Sequence, residues 1–286
     1  MTESNLPSLP LDALHAWHAG LAGALMALHS SEFPAVLCAA LQQLTPIESV
    51  LISLERKGQP PLLLYECGIP LERRAALISR YYSRGYMLDP FCLAVENGLV
   101  EGFYHLSEIA PDNFFSSEYY KTYYLKTGSV EDSYYIVDLS AQSKISICLY
   151  QGLSASRFSP AQLALLRCAE PLVRQLVLQH WAEQLGSALA VEQFQAAQEL
   201  PATTLNTQIA EAFMSFGNAV LTEREREISH LILRGHSAKS TARVLDISPE
   251  TVRMHRKNLY AKLAVSSQAE LFALFIDSIV GPPTTL

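Results

Sequence analysis

The residues with the clearest chemical capacity are Arg253, Met254 and Lys257, which follow the helix-opening pair Ser248-Pro249. Serine is a favoured helix cap, and proline suits the first helical position. On a helix running from there to Leu263, Val252, Leu259 and Leu263 point within about 20° of one direction, because the period is 3.6 residues. Glu250, Arg253, Met254 and Lys257 fall on the far side, towards solvent. Such a face can enter a DNA major groove, with Arg253 bonding a guanine edge in bidentate fashion and Met254 touching a thymine methyl. A solvated basic helix surface has the same composition, so the neighbouring elements must decide between the two.

Those neighbours are helix signals at close spacing. Thr222 and Glu225 form a T-x-x-E capping box that opens a helix to about Arg234, and Gly235 can end it in the left-handed conformation. Ser237–Leu245 reads as a second short helix with Ala238, Ala242 and Leu245 on one side. Asp246-Ile247-Ser248 is a tight turn into the third helix. A fourth, 267–279, is strongly apolar, with Leu271, Phe272, Leu274, Phe275, Ile276 and Ile279. One of its stripes must close the bundle. The other meets either a partner subunit or the N-terminal domain of the same chain.

Residues 221–276 resemble the LuxR/NarL (GerE-like) DNA-binding domain. The resemblance rests on Leu221-Thr222-Glu223-Arg224-Glu225, Glu227, Gly235, Ser237, Lys239, Ala242, Leu245, Ile247-Ser248, Thr251-Val252, His255, Lys262-Leu263 and Val265. It implies a four-helix bundle whose third helix reads the major groove through Arg253, Met254 and Lys257. It also implies phosphate contacts at Lys239, Ser248, Thr251 and Lys262, and core roles for Val252, Leu259 and Leu263. Two departures stand out. Lys239-Ser240-Thr241-Ala242 replaces the common Lys-Glu-Ile-Ala, and Ser267 stands where an arginine is frequent. The partners implied are double-stranded DNA carrying an inverted repeat, a second copy of the chain as homodimer, and the transcription machinery.

Charge agrees with one DNA-facing domain. The chain of 286 residues has net charge −7, yet residues 221–276 carry +3 and the remainder −10. An acidic body with a basic tail directs phosphates to the tail. At 49% hydrophobic and 17% charged, the chain has material for a large core. No apolar run approaches the ~20 residues of a membrane-spanning helix. The N-terminus lacks a basic flank before an apolar stretch, so no secretory signal is expected and a cytoplasmic location is. The five cysteines form no C-x-x-C pair and are expected to be reduced and mostly buried.

Residues 1–200 read as the sensor and dimerisation domain, 201–220 as a linker with a short helix at 205–216, and 221–280 as the DNA-binding domain. The first domain opens with helices at 11–31 and 34–44. Strands follow at 48–56 and 61–67, then helical segments at 71–84 and from Asp89-Pro90. A strand at 101–106, a short aromatic helix at 116–126 and a hairpin of 133–140 with 144–152 complete the series. A long helix starts at Ser159-Pro160, stapled by Phe158 and Leu163. It could run to Leu200, with a kink at Pro171 and a weak point at Gly186. The fold expected is α+β: an N-terminal α/β/α sandwich around an antiparallel sheet, then an all-α four-helix helix-turn-helix domain.

This topology resembles GAF/PAS-like sensors and the acyl-homoserine-lactone domain of quorum-sensing LuxR proteins. Locally, Tyr82-x3-Tyr86-x2-Asp89-Pro90 is similar to that domain's Tyr…Asp-Pro segment, whose aspartate contacts the ligand amide. The tryptophan upstream of that tyrosine is missing here, so a lactone is not expected. Asp89-Pro90 is equally a helix cap with proline at the first position. Aromatic residues crowd between 81 and 135, and tyrosines combine apolar area with a hydroxyl, as a closed small-molecule pocket requires. The candidate pocket residues are Tyr82, Tyr86, Asp89, Phe103, Tyr119 and Tyr134. Ordinary core and dimer surface is the alternative for the same residues.

A phosphorylation receiver is excluded, because the chain opens with helices and hairpin strands in place of β/α alternation. No G-x-x-x-x-G-K-[ST], G-x-S-x-G or H-E-x-x-H occurs, and Cys/His residues are dispersed, so neither an ATP-driven regulator nor an enzyme is expected. No cofactor or metal is expected. The reading is a sequence-specific DNA-binding regulator controlled by a small-molecule effector. The alternative is a regulator switched by protein or membrane contact.

Overall fold

The computed structural model describes residues 10–57, 59, 61–74, 78, 85–125, 130–152, 157–197 and 215–280. The linker helix expected at 205–216 falls almost wholly outside them, as do Tyr82 and most of 75–84. Packing groups the described residues into two compact units. One is drawn from Met1–Ala75, Ala94–Glu108 and Gly128–Ala202, the other from Ala76–Leu93, Ile109–Thr127 and Thr203–Leu286.

In the first unit, helices α1 (Leu11–Met26) and α2 (Phe33–Leu44) precede strands β1 (Ser49–Arg56) and β2 (Leu62–Cys67). Then come β3 (Gly102–His105), β4 (Glu131–Asp138), β5 (Ser143–Gln151) and helices α3 (Pro160–Leu185) and α4 (Ala188–Ala197). The five strands form one antiparallel sheet in the order β2-β1-β5-β4-β3. Both expected hairpins form, within two residues of their expected ends.

Side chains alternate across a strand, and here the alternation divides two chemistries. Val50, Ile52, Leu54, Ile145, Ile147, Leu149, Tyr135 and Val137 join Leu21, Phe33, Leu37, Leu41, Val173, Val177 and Trp181 in one hydrophobic core. Helices α1, α2 and α3 therefore share one face of the sheet. Burying each of these side chains contributes roughly 1.5–3 kcal/mol, which is what holds the helices there.

The start of α3 follows its expected chemistry. The Ser159 hydroxyl accepts from the Gln162 N–H, the Gln162 side chain returns the bond, and Pro160 is the first helical residue. The helix runs unbroken through Pro171. That residue is exposed, and water can satisfy the carbonyl a proline leaves unbonded. It stops at Gly186 short of the expected Leu200, and α4 is separate.

Deep in the same core, the His180 ring stacks 4.1 Å from Phe33 and meets Trp181 edge-on at 4.7 Å. Its Nδ1 accepts the backbone N–H of His29 at 3.0 Å. Burial, with His29 as a secondary influence, pushes the His180 pKa down to about 4, so the ring is neutral. Cys38, buried on α2, and Cys67, half-buried at the end of β2, are hydrogen-bonded to each other. Cys168, in contrast, is exposed.

The second unit holds the C-terminal bundle: α5 (Glu223–Leu233), α6 (Ala238–Val244), α7 (Pro249–Lys262) and α8 (Gln268–Val280). Its core contains Ile228, Ile232, Leu233, Ala242, Val252, Leu259, Leu271 and Phe275. Phe216, from before the bundle, packs edge-on against Phe275 at 5.4 Å. The same unit contains the first turn of the short helix Pro90–Glu96, as far as Leu93, a 3₁₀ turn at Phe114–Ser116 and a single π-helical turn at Tyr119–Tyr124, where a short aromatic helix was expected. Phe114 is fully buried among the rings of Phe115, Tyr119, Tyr120 and Tyr124. A five-stranded antiparallel sheet flanked by helices, followed by a helical C-terminal region, is the expected α+β class.

Candidate nucleic-acid interface

The bundle positions α7 by a series of local devices. Thr222 and Glu225 make the reciprocal capping box at the start of α5. The chain turns at Gly235 with φ +90°, and Ser237 caps α6 through the N–H groups of Lys239 and Ser240. Arg224 reaches across to the carbonyl of Leu245 at 2.9 Å, fixing the end of α6. Asp246 takes the left-handed conformation, φ 52°, which short polar side chains tolerate. Ser248 then caps α7 by accepting the Thr251 N–H at 3.0 Å.

This leaves α7 sided as its period requires. Val252 and Leu259 are at most 1% exposed. Met254 is 53% exposed, and Arg253 and Lys257 are also on the surface. Leu263 is only half-buried and forms the helix C-cap, which corrects its expected place in the core. The Arg253 guanidinium pairs with Glu250 one turn earlier at 2.8 Å. An exposed pair of this kind contributes at most about 1 kcal/mol, so it can be exchanged for a base edge.

Of the residues expected on phosphates, Lys239 is exposed on the first turn of α6. The hydroxyls of Ser248 and Thr251 lie 2.9 Å apart at the start of α7. Lys262 differs from these, because its ammonium sits 2.6 Å from Glu225, whose side chain is 4% exposed. Burial pushes the Glu225 carboxyl up, but hydrogen bonds from Lys262 and Thr222 outweigh it and hold it below the ordinary carboxylate range. Lys262 thus ties the end of α7 to the capping box of α5.

Removing one partner of a buried pair costs several kcal/mol. Lys262 is partly solvated and Glu225 keeps its Thr222 bonds, so Lys262→Met should destabilise the bundle by about 1–2 kcal/mol at pH 7. A carboxyl depressed on folding stabilises above its unfolded pKa, about 4.3, and loses that contribution as pH falls through its folded value. Urea unfolding at pH 7 and at low pH should therefore show a smaller acid loss in Lys262→Met than in the wild type.

The expected pocket residues are distributed as follows. The Asp89 carboxylate, 2% exposed, accepts the Phe91 N–H at 2.7 Å and so acts as the cap of Pro90–Glu96. Tyr86 is half-buried in the preceding 3₁₀ turn, and Tyr119 is buried in the aromatic cluster around Phe114. Phe103 packs against Tyr135 at 5.0 Å in the helix-side core, with the Arg167 guanidinium over its ring. Tyr134 lies on the opposite face of the sheet, its hydroxyl donating to Asp132 at 3.2 Å. Phe103 and Tyr134 therefore do not line one cavity, and Tyr82 lies outside the described residues.

The face that carries Tyr134 was missed in the sequence. Ser53, Glu55, Asp132, Ser146, Cys148 and Tyr150 share it, and all are buried. The Ser146 hydroxyl donates to Glu55 at 2.8 Å. The signal was present as alternating polar residues in SVLISLER and SKISICLYQ. Among the described residues no cluster of three or more His, Cys, Asp or Glu could hold a metal ion, and no helix is long and apolar enough to cross a membrane.

Residues 219–275 match the family described as "Bacterial regulatory proteins, luxR family". A putative HTH-type transcriptional regulator in the exeN 3' region of Aeromonas salmonicida is 34% identical over 197 residues, 68% of this chain and 96% of that protein. The nitrate/nitrite response regulator NarP of Escherichia coli is 45% identical over 59 residues, 21% of this chain and 27% of that one. Among solved structures, the VqsR LBD domain of Pseudomonas aeruginosa aligns with a TM-score of 0.51 and 30% identity. The alignment covers 58% of this chain and 96% of that one.

Proposed function

We propose that this chain, which belongs to the luxR family of bacterial regulatory proteins, binds an inverted-repeat DNA site as a homodimer under the control of a small molecule. It is a transcriptional regulator by family. The observation that carries the DNA-reading part is the sidedness of α7. Arg253, Met254 and Lys257 project opposite Val252 and Leu259, on a helix whose cap, Ser248, and first turn, Thr251, carry hydroxyls suited to phosphate. Base edges take the first set, while phosphates take Lys239, Ser248 and Thr251. A twofold dimer presents two such helices, and a symmetric pair reads an inverted repeat.

Small-molecule control is supported by the buried polar face of the sheet. A face built only for packing is apolar, as the helix side is. Ser53, Glu55, Asp132 and Ser146 bring hydroxyls and carboxylates together on this buried face, and a few convergent polar groups of this kind fix the orientation of a ligand. The likeness to a domain titled LBD points the same way. Thermal unfolding of the full chain against a library of small metabolites tests it. A ligand present at a hundred times its Kd adds about 2.7 kcal/mol, so at least one compound should raise Tm by several degrees. Glu55→Gln should reduce that rise. A library that stabilises nothing contradicts ligand control.

A further inference from the structure

Within the second unit, a loop from the middle of the chain grips the turn that leads into α6. The Asp112 carboxylate accepts the Ser237 N–H at 3.1 Å and the Ser237 hydroxyl at 2.6 Å. Next to it, the Asn113 N–H donates to the Gly235 carbonyl at 3.1 Å. The contact is also close sterically: a Cβ placed on Gly235 would stand 2.9 Å from the Phe114 Cα. Phe114, fully buried in the aromatic cluster, anchors the loop. We propose that residues 111–118 form an intramolecular latch which docks on Gly235–Ser237 and must release before the bundle engages DNA.

The argument rests on charge and on shared donors, and on the DNA-binding reading above. Ser237 stands two residues before Lys239, on the side of the bundle that meets the sugar-phosphate backbone in that reading. Asp112 occupies the Ser237 donors and places a negative charge at the cap of α6, two residues before Lys239 in the chain. Burial at the contact pushes the Asp112 carboxyl up, but hydrogen bonds from Ser237 and Ser240, with His236 nearby, prevail and hold its pKa at about 2. The latch is therefore ionised throughout the working pH range. A carboxylate and a phosphate within one screening length, about 8 Å at physiological salt, repel each other. Among the described residues no hydrogen bond or ion pair joins the latch to Arg253 or Lys257, so it opposes all DNA equally and leaves sequence preference unchanged. The π-helical turn Tyr119–Tyr124 directly follows the loop, and such turns mark functional sites often enough to make it the segment through which an effector would pull the latch.

The test uses the full chain and a fluorescein-labelled duplex of mixed sequence. Asp112→Ala should bind this duplex about tenfold more tightly than the wild type, the size expected for loss of a charge-assisted contact. Glu118→Gln, which removes one negative charge six residues along the same segment, should change affinity much less. In hydrogen exchange, residues 111–118 of the wild type should lose protection when the duplex is added. Equal affinity of Asp112→Ala and wild type overturns the latch, as does equal tightening by Glu118→Gln, or retained protection of 111–118 on DNA. Failure of the wild type and both variants to bind any duplex overturns the DNA-binding reading and the latch with it.

Discussion

Arg253→Ala abolishes preference for the protein's own site: affinity for that site falls about 10- to 100-fold while binding to mixed-sequence DNA falls much less. The figure follows from one bidentate contact to a guanine edge, worth about 1–3 kcal/mol of discrimination, at about 1.4 kcal/mol per tenfold. Lys257→Ala, one turn along the same face, should lower specific affinity and the salt dependence together. Neither side chain is part of the bundle core, and among the described residues Arg253 pairs with the exposed Glu250 alone, so both variants should unfold within about 0.5 kcal/mol of the wild type. Fluorescence anisotropy with specific and mixed-sequence duplexes, alongside urea unfolding, checks all of this. Unchanged preference in both variants contradicts the assigned reading face.

The second large effect lies in the sheet domain. His180 has a folded pKa of about 4 because it is buried, while an unfolded histidine titrates near 6.5. The sign follows from linkage: a group whose pKa is lowered by folding stabilises fully above the unfolded value, and that stability is lost as pH falls towards the folded one. At about 1.4 kcal/mol per unit, unfolding should become easier by roughly 3 kcal/mol between pH 6.5 and pH 4. His180→Phe keeps a ring against Phe33 but leaves the His29 N–H without its acceptor, so it should lose about 1–3 kcal/mol at pH 7.5. It should then be flatter than the wild type across that pH window. Parallel pH profiles for the two proteins would show that His180 does not supply the slope.

What could be read from the sequence was local. The Ser159 cap, the Thr222…Glu225 capping box, the prolines at first helical positions and the left-handed Gly235 are governed by neighbours a few residues away, and each formed as expected; the return bond from Gln162 to Ser159 came only with the structure. Asp89-Pro90 is of the same kind and proved to be a cap. The strands were legible from their alternation, but their register was not. Tyr134 faces Tyr104 across β3 and β4, which sends Phe103 to the other side of the sheet and separates two residues that composition alone had grouped. Contacts across long stretches of sequence were invisible for the same reason. Nothing near Asp112 announces Ser237, and nothing near Lys262 announces that Glu225 will be buried beneath it. The polar face of the sheet was overlooked because the alternation of single polar residues within each strand does not show that they meet on one face until the register aligns them.

The most direct test of the central claim is selection of randomised duplex DNA by the full-length protein, followed by sequencing of the bound pool. The proposed twofold dimer, with one α7 from each copy, predicts enrichment of an inverted repeat, with half-site centres about one helical turn apart. Arg253→Ala should fail to enrich it. A pool that remains random after repeated rounds, or one enriched equally by Arg253→Ala, would contradict the assignment of Arg253, Met254 and Lys257 as the residues that read DNA.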